Sequence, residues 1–365
     1  MQVVRLVRAS LALAALSMAA VSVAAVSVAA VSVAAVSVAS SALAAEPKTS
    51  PTLKAVRERG VLVCGVNQGL PGFSTRAEDG SWSGFDVDFC RAVAAAIFDD
   101  PAKVRYVPLD AEKRFTALAG GEVDILSRNS TWTLGREIAH GIVFPAVTYY
   151  DGQGFMVRTA QPARSPLEFG GMKVCVQDNT TTASNAAAFF AANGVDAKLI
   201  TSPDLKDAVK AYEDGRCDAF TSDVSQLHAL RSAFAAPAEH AVLPDVISKE
   251  PLGPAVRQGD EGWALIAQWV HFAMVDAEEI GVDSQRIDQA LASKRPAVRR
   301  LVGTDGHLGE GIGLSPDWAV RIVRRVGNYG EVFERNVGAG TKLGIPRGLN
   351  ALWNAGGIQY APPVE

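Results

Sequence analysis

The strongest constraint on the fold is a strand–helix plan that the chain states twice. Gly60-Val61-Leu62-Val63-Cys64 matches Gly171-Met172-Lys173-Val174-Cys175, and Gly121-Glu122-Val123-Asp124 matches Gly215-Arg216-Cys217-Asp218. Each member of the second pair follows an amphipathic helical stretch and opens an apolar run. In the first copy the spacing predicts a helix over Leu53–Arg59, capped by Thr52 and stopped by Gly60, then a buried strand over Val61–Val66. A helix over Gly84–Phe98, a strand at Tyr106–Leu109, a helix over Ala111–Ala119 and a strand at Val123–Leu126 follow. Strands that alternate with helices argue for an α/β fold with a mostly parallel sheet. Two such units in one chain predict two lobes of similar build.

The lobes are not expected to lie end to end. Two stretches rich in Gly and Pro, Tyr149-Tyr150-Asp151-Gly152-Gln153-Gly154 and Glu250-Pro251-Leu252-Gly253-Pro254, read as crossovers between them. Lobe 1 would then comprise residues 46–151 and 248–365, including a C-terminal extension, with lobe 2 (152–247) inserted. A double crossover forms a hinge, because a few residues can absorb the rotation of closure. Beyond it, Glu261–Val275 reads as a helix, Ser315-Pro316-Asp317 as the capped start of a helix over Trp318–Val326, and the tail from Gly327 as a wrap around lobe 1.

The N-terminus has the grammar of a secretory signal peptide. Arg5 and Arg8 precede an uncharged run from Ala9 to Ala45 that closes on small residues, which places cleavage near Ala44/Ala45 and the mature protein in the periplasm. The block Ala-Ala-Val-Ser-Val recurs four times between Ala19 and Val38. It stretches the apolar segment beyond the roughly 7–15 residues usual for a leader, so a membrane anchor is the alternative. Loss of the two leader arginines takes the formal charge from −4 to −6. A mildly acidic chain without a basic run argues against nucleic acid. The four cysteines, Cys64, Cys90, Cys175 and Cys217, allow three pairings in an exported chain. Cys64–Cys90 and Cys175–Cys217 each stay within one lobe, whereas the other pairings would tie the lobes together across the hinge; four free thiols are the alternative.

Enzyme motifs are absent from the sequence. There is no G-x-S-x-G, H-E-x-x-H or G-x-x-x-x-G-K-[ST], the five histidines lack ligand spacing, and no metal or cofactor is expected. What remains suits a zwitterion. Ser127-Arg128-Asn129-Ser130-Thr131-Trp132-Thr133-Leu134-Gly135-Arg136 leaves a buried strand with short polar donors and ends in an arginine, whose planar fork binds a carboxylate. Gln177-Asp178-Asn179-Thr180-Thr181-Thr182 opens a helix through Ala183–Ala192, where free N–H groups suit an anion, and Asp223 follows the strand Ala219–Ser222.

The order CGVNQGLPGFS, GFDVDFC, RFTAL, GEVDIL, TWTLGR, TYYDGQGFMV, NTTT, GRCDAFTSD, SKEPLGPAVRQGD and GNYGEVFERNVG, closed by RGLNALWNAGGIQYAPP, resembles the general L-amino-acid-binding proteins of polar amino-acid ABC transporters. The resemblance implies a type II periplasmic binding protein fold, with two α/β lobes joined by two crossover strands. It further implies a monomer that captures a free L-amino acid and delivers it to membrane permease subunits. By motif position, Arg136 would bind the α-carboxylate with Asn129 and Thr131, Thr180 and Thr181 would complete that contact, and Asp223 would hold the α-ammonium. Asn67 falls in the first binding loop. Leu70 stands where many relatives carry an aromatic that stacks on the ligand, and Arg114 would reach an acidic or amide side chain. Glutamate and glutamine are the first choices. The alternatives on this fold are a small-acid lyase or dehydratase and a ligand carrier for a chemoreceptor.

Overall fold

The computed structural model describes residues 50–365; the leader, its repeats and most of the Glu46–Pro51 linker lie outside the described residues. Twelve strands follow in chain order. They are β1 (Leu62–Asn67), β2 (Thr75–Arg76), β3 (Trp82–Ser83), β4 (Val104–Leu109), β5 (Ile125–Thr131), β6 (Ile142–Val143), β7 (Tyr149–Arg158), β8 (Lys173–Gln177), β9 (Lys198–Ser202), β10 (Ala219–Asp223), β11 (His240–Val242) and β12 (Ser248–Arg257). β2 and β3 form a separate small hairpin.

The main sheet runs β4-β1-β5-β12-β7-β10-β8-β9. β1 lies parallel to both β4 and β5, and β8 lies parallel to both β9 and β10. Two parallel groups of three, built from the two copies of the sequence plan, therefore flank β7 and β12. Those two strands pair antiparallel with each other over Tyr149–Gln153 and Ser248–Leu252. Past that stretch β12 passes to β5 and β7 passes to β10.

The segments read as crossovers are thus long strands, in keeping with the two expected crossover strands. Their Gly content reflects close backbone approach, not a turn. A Cβ at Gly253 would meet the carbonyl oxygen of Ala146 at 2.1 Å, and one at Gly152 would meet that of Ser248 at 2.9 Å. β12 accommodates Pro254 at a register shift between Gly253 and Ala255, as expected where proline removes a ladder donor.

Helices cover the sheet. Phe85–Phe98, Glu261–Glu279 and Trp318–Arg325 pack together over the first group, burying Val93, Val270, Met274 and Ile322 in one core. Their starts differ from the sequence reading in two places. Ser50, not Thr52, caps Pro51–Arg59, its Oγ accepting from the Leu53 N–H, because the helix begins two residues earlier, on Pro51. Asp317, not Ser315, precedes Trp318, and no side chain caps that helix. The described structure closes disulfides Cys64–Cys90 and Cys175–Cys217.

The C-terminal tail contains a helix, Tyr329–Asn336, started by a capping box between Asn328 and Glu331. Beyond it, Asn350 clasps the start of β7: its Oδ1 accepts from the Tyr150 N–H at 2.7 Å and its Nδ2 donates to the Tyr150 carbonyl at 2.9 Å. The Tyr329 hydroxyl donates to the Thr148 carbonyl at 3.0 Å. Among the described residues, no helix is long and apolar enough to cross a membrane.

Candidate ligand-binding cleft

In a parallel α/β sheet, ligands sit beyond the carboxyl ends of the strands. Four such ends converge here: Asn67 closes β1, Thr131 closes β5, Gln177 closes β8 and Asp223 closes β10. All four line one cleft, together with Arg114, Asn129, Arg136, Thr180 and Thr181. Eight of the nine expected site residues therefore meet at a single place, drawn from both strand groups. Leu70 is the exception. Backbone bonds with Ser74 fold its Gly-Pro loop back on itself, and its side chain is fully buried with Phe73 in the core rather than on the cleft wall.

The carboxylate-seeking groups are three guanidiniums. Arg136 sits in the first turn of the helix Leu134–His140, where its N–H bonds the Thr133 cap. Its Nη1 donates to the Thr131 carbonyl at 2.7 Å, fixing the fork with the rest of its donors unspent. Arg114 is 4% exposed and its Nε has no hydrogen-bond partner. The Phe115 ring supports both, with guanidinium carbons 4.7 Å (Arg114) and 5.3 Å (Arg136) from its centre, a cation–π arrangement.

Arg128 is the third, 6% exposed, with Nε bonded to the Leu109 carbonyl at 2.9 Å. Burial depresses the pKa of all three, and neighbouring arginines add to the effect on Arg114. Arg128, held at about 10, is partly compensated by Asp86.

Asp223 is the one carboxylate on the cleft wall among the described residues. It is 6% exposed. Burial first, then the nearby charges of Asp151 and Glu250, push its pKa well above the ordinary carboxylate range, against the pull of Arg136 and Arg114. A cation placed beside it would restore the ionised form.

Asn129 adopts a left-handed backbone, φ 30°, which asparagine tolerates better than most residues. The turn is held by its N–H donating to Asp86 Oδ2 at 2.9 Å and by Asn67 Nδ2 donating to its Oδ1 at 3.0 Å. Thr180 precedes the helix Thr181–Asn193 without a side-chain cap bond, its Oγ1 donating instead to the Gln177 carbonyl.

Behind the cleft lies a residue the sequence reading passed over. Glu250 on β12 is 1% exposed and accepts four hydrogen bonds. Thr131 Oγ1 (2.6 Å) and Thr181 Oγ1 (3.1 Å) reach its Oε2, while Asn185 Nδ2 (2.8 Å) and Ser248 Oγ (2.7 Å) reach its Oε1. One carboxylate thus ties β5 to the helix of the other strand group. It was passed over because its segment was read only as a crossover, with no site residue assigned to it. Arg128 was passed over because the strand runs on through Thr131 with all seven residues buried, rather than ending before it.

Two parallel groups bridged by a strand pair, with a polar cleft at the shared strand ends, define a two-part solute-binding protein. The chain belongs to the bacterial extracellular solute-binding proteins, family 3, which residues 62–280 match. It is 50% identical over 325 residues (88% of this chain, 95% of the other) to the general L-amino acid-binding periplasmic protein AapJ of Rhizobium johnstonii. It is 48% identical over 324 residues (88% and 96%) to the glutamate/glutamine/aspartate/asparagine-binding protein BztA of Rhodobacter capsulatus. An ABC transporter/periplasmic binding protein from Brucella ovis, solved with glutathione bound, superposes with a TM-score of 0.85 at 48% identity, covering 87% of this chain and all of that one.

Proposed function

We propose that the protein captures L-amino acids in the periplasm and delivers them to the permease of an ABC transporter, with acidic and amide side chains preferred. The observation that carries this reading is the charge pattern of the cleft: the buried guanidiniums of Arg114 and Arg128 and the half-buried one of Arg136 share it with one carboxylate, Asp223. Arg136 takes the α-carboxylate, with the Asn129 side-chain amide and the backbone N–H groups of Thr180 and Thr181 at the helix start as neutral donors; Thr131, whose hydroxyl donates to Glu250, lines the contact. Asp223 takes the α-ammonium. These two charges are common to every α-amino acid and set the class.

A zwitterion neutralises one guanidinium and one carboxylate, leaving Arg114 and Arg128 to meet the side chain. A second carboxylate, or an amide oxygen, fits that surplus. Glutathione ends in a free α-amino acid and carries a further carboxylate, the same pattern on a longer body. AapJ and BztA, by their names, bind ligands of the same class.

Residues 46–151 with 248–365 form one lobe and 152–247 the other, with β7 and β12 as the hinge. The ligand favours closure because its carboxylate and ammonium contact both lobes, and only differential affinity can shift such an equilibrium. Removal of residues 1–45 by signal peptidase releases the mature protein. Calorimetry with L-glutamate tests the proposal: Arg136→Ala is expected to lose at least tenfold in affinity, since a charge-assisted hydrogen bond contributes roughly 1.5–3 kcal/mol and about 1.4 kcal/mol is one decade. Wild-type affinity in that variant removes Arg136 from the site.

A further inference from the structure

A second pocket lies away from the cleft, between the end of the helix Glu261–Glu279, the helix Pro296–Leu301 and the C-terminal tail. Its chemistry is opposite to that of the cleft. Asp276 and Glu279, three apart on one helix face, both line it. Asp276 is nine-tenths buried, and its Oδ2 has no hydrogen-bond partner. The cation within the lining is already engaged: Arg300 donates through Nε to the Val364 carbonyl at 3.1 Å and through Nη2 to Glu365 at 2.9 Å. The pocket therefore retains a negative balance.

Lining the same pocket are two aromatic rings that the tail brings together. Trp353 N–H donates to the Gln359 carbonyl at 3.0 Å, closing a loop that sets the Trp353 and Tyr360 rings 5.7 Å apart at 60°. Both rings are more than half exposed, although burying an aromatic side chain is favourable. A buried carboxylate without a partner is costly, and exposed aromatic faces attract cations. One occupant answers both.

We propose that this pocket binds an organic cation, an ammonium group carried on an apolar body, with Asp276 as its counter-charge and Trp353 and Tyr360 as its walls. The site is separate from the amino-acid cleft and uses none of its residues. The burial-raised pKa of Asp276, about 7 with Glu279 adding to the shift, accords with a carboxylate lacking its counter-ion.

Calorimetry on the mature protein with choline, benzyltrimethylammonium and the neutral choline isostere 3,3-dimethylbutan-1-ol tests this. The expected result is saturable binding of at least one cation, with the neutral isostere at least tenfold weaker than choline. Asp276→Asn and, independently, Trp353→Ala are expected to weaken cation binding at least fivefold, while L-glutamate affinity stays unchanged. Prior saturation with L-glutamate should leave cation binding intact. Absence of binding by both cations, equal binding of the neutral isostere, retention of full affinity in both variants, or displacement of the cation by L-glutamate overturns the proposal.

Discussion

Glu250→Ala probes how the two strand groups hold each other. The carboxylate accepts from Thr131 on one side and from Thr181 and Asn185 on the other, with Ser248 on its own strand. Any separation of the groups breaks at least one bond to a charged acceptor, worth roughly 1.5–3 kcal/mol. The carboxylate therefore biases the equilibrium toward the closed form by at least that amount, and its removal should weaken ligand binding by about ten- to a hundredfold at 1.4 kcal/mol per decade. Glu250 does not line the cleft, so the loss should not depend on the ligand side chain. Calorimetry with L-glutamate and L-glutamine should show similar fold-losses. Small-angle scattering should show a larger radius of gyration for ligand-saturated Glu250→Ala than for ligand-saturated wild type. Unchanged affinity in a variant that melts as wild type does would refute the latch.

Three further outcomes are expected. Arg114→Met should cost L-glutamate at least tenfold in affinity and L-glutamine less than threefold; equal losses in calorimetry would place Arg114 away from the side chain. His271 is buried against Gln359, and burial holds its pKa down to about 4 from 6.5. Its contribution is present above pH 6.5 and lost as pH falls through 4, on the order of 3 kcal/mol, so His271→Gln should flatten the melting profile between those values; an unaltered slope would assign the acid loss elsewhere. Replacing both Cys175 and Cys217, 42 residues apart, with alanine should lower unfolding free energy by about 4 kcal/mol through loop-closure entropy, read from the urea midpoint at constant slope.

Much of the architecture was legible because it rests on local patterns. The short apolar runs located β1, β4, β5 and β10 to within a few residues, and left-handed Gly60 ends its helix at the residue expected. Gly152 and Gly253 carry turn chemistry in sequence, and only the crossover reading placed them in strands, where neighbouring backbone occupies the space of a side chain. Departures gathered where tertiary contact overrides local preference. Leu70 stands in a binding-loop motif, but a local backbone bridge turns it into the core. The two charges proposed to hold the ligand were legible since Asp223 closes a recognisable strand and Arg136 opens a recognisable helix. Glu250 and Arg128 were not, because only long-range pairing puts them behind and within the same cleft.

The central claim is that Arg136 and Asp223 hold the two ends of one amino acid. Calorimetry of L-glutamate against glutarate, which keeps both carboxylates and lacks the amino group, isolates the Asp223 contact when repeated on Asp223→Asn. The account predicts at least a tenfold preference for L-glutamate in the wild type and its collapse to below threefold in the variant. Equal binding of the two ligands by the wild type, or an undiminished preference in Asp223→Asn, would contradict it.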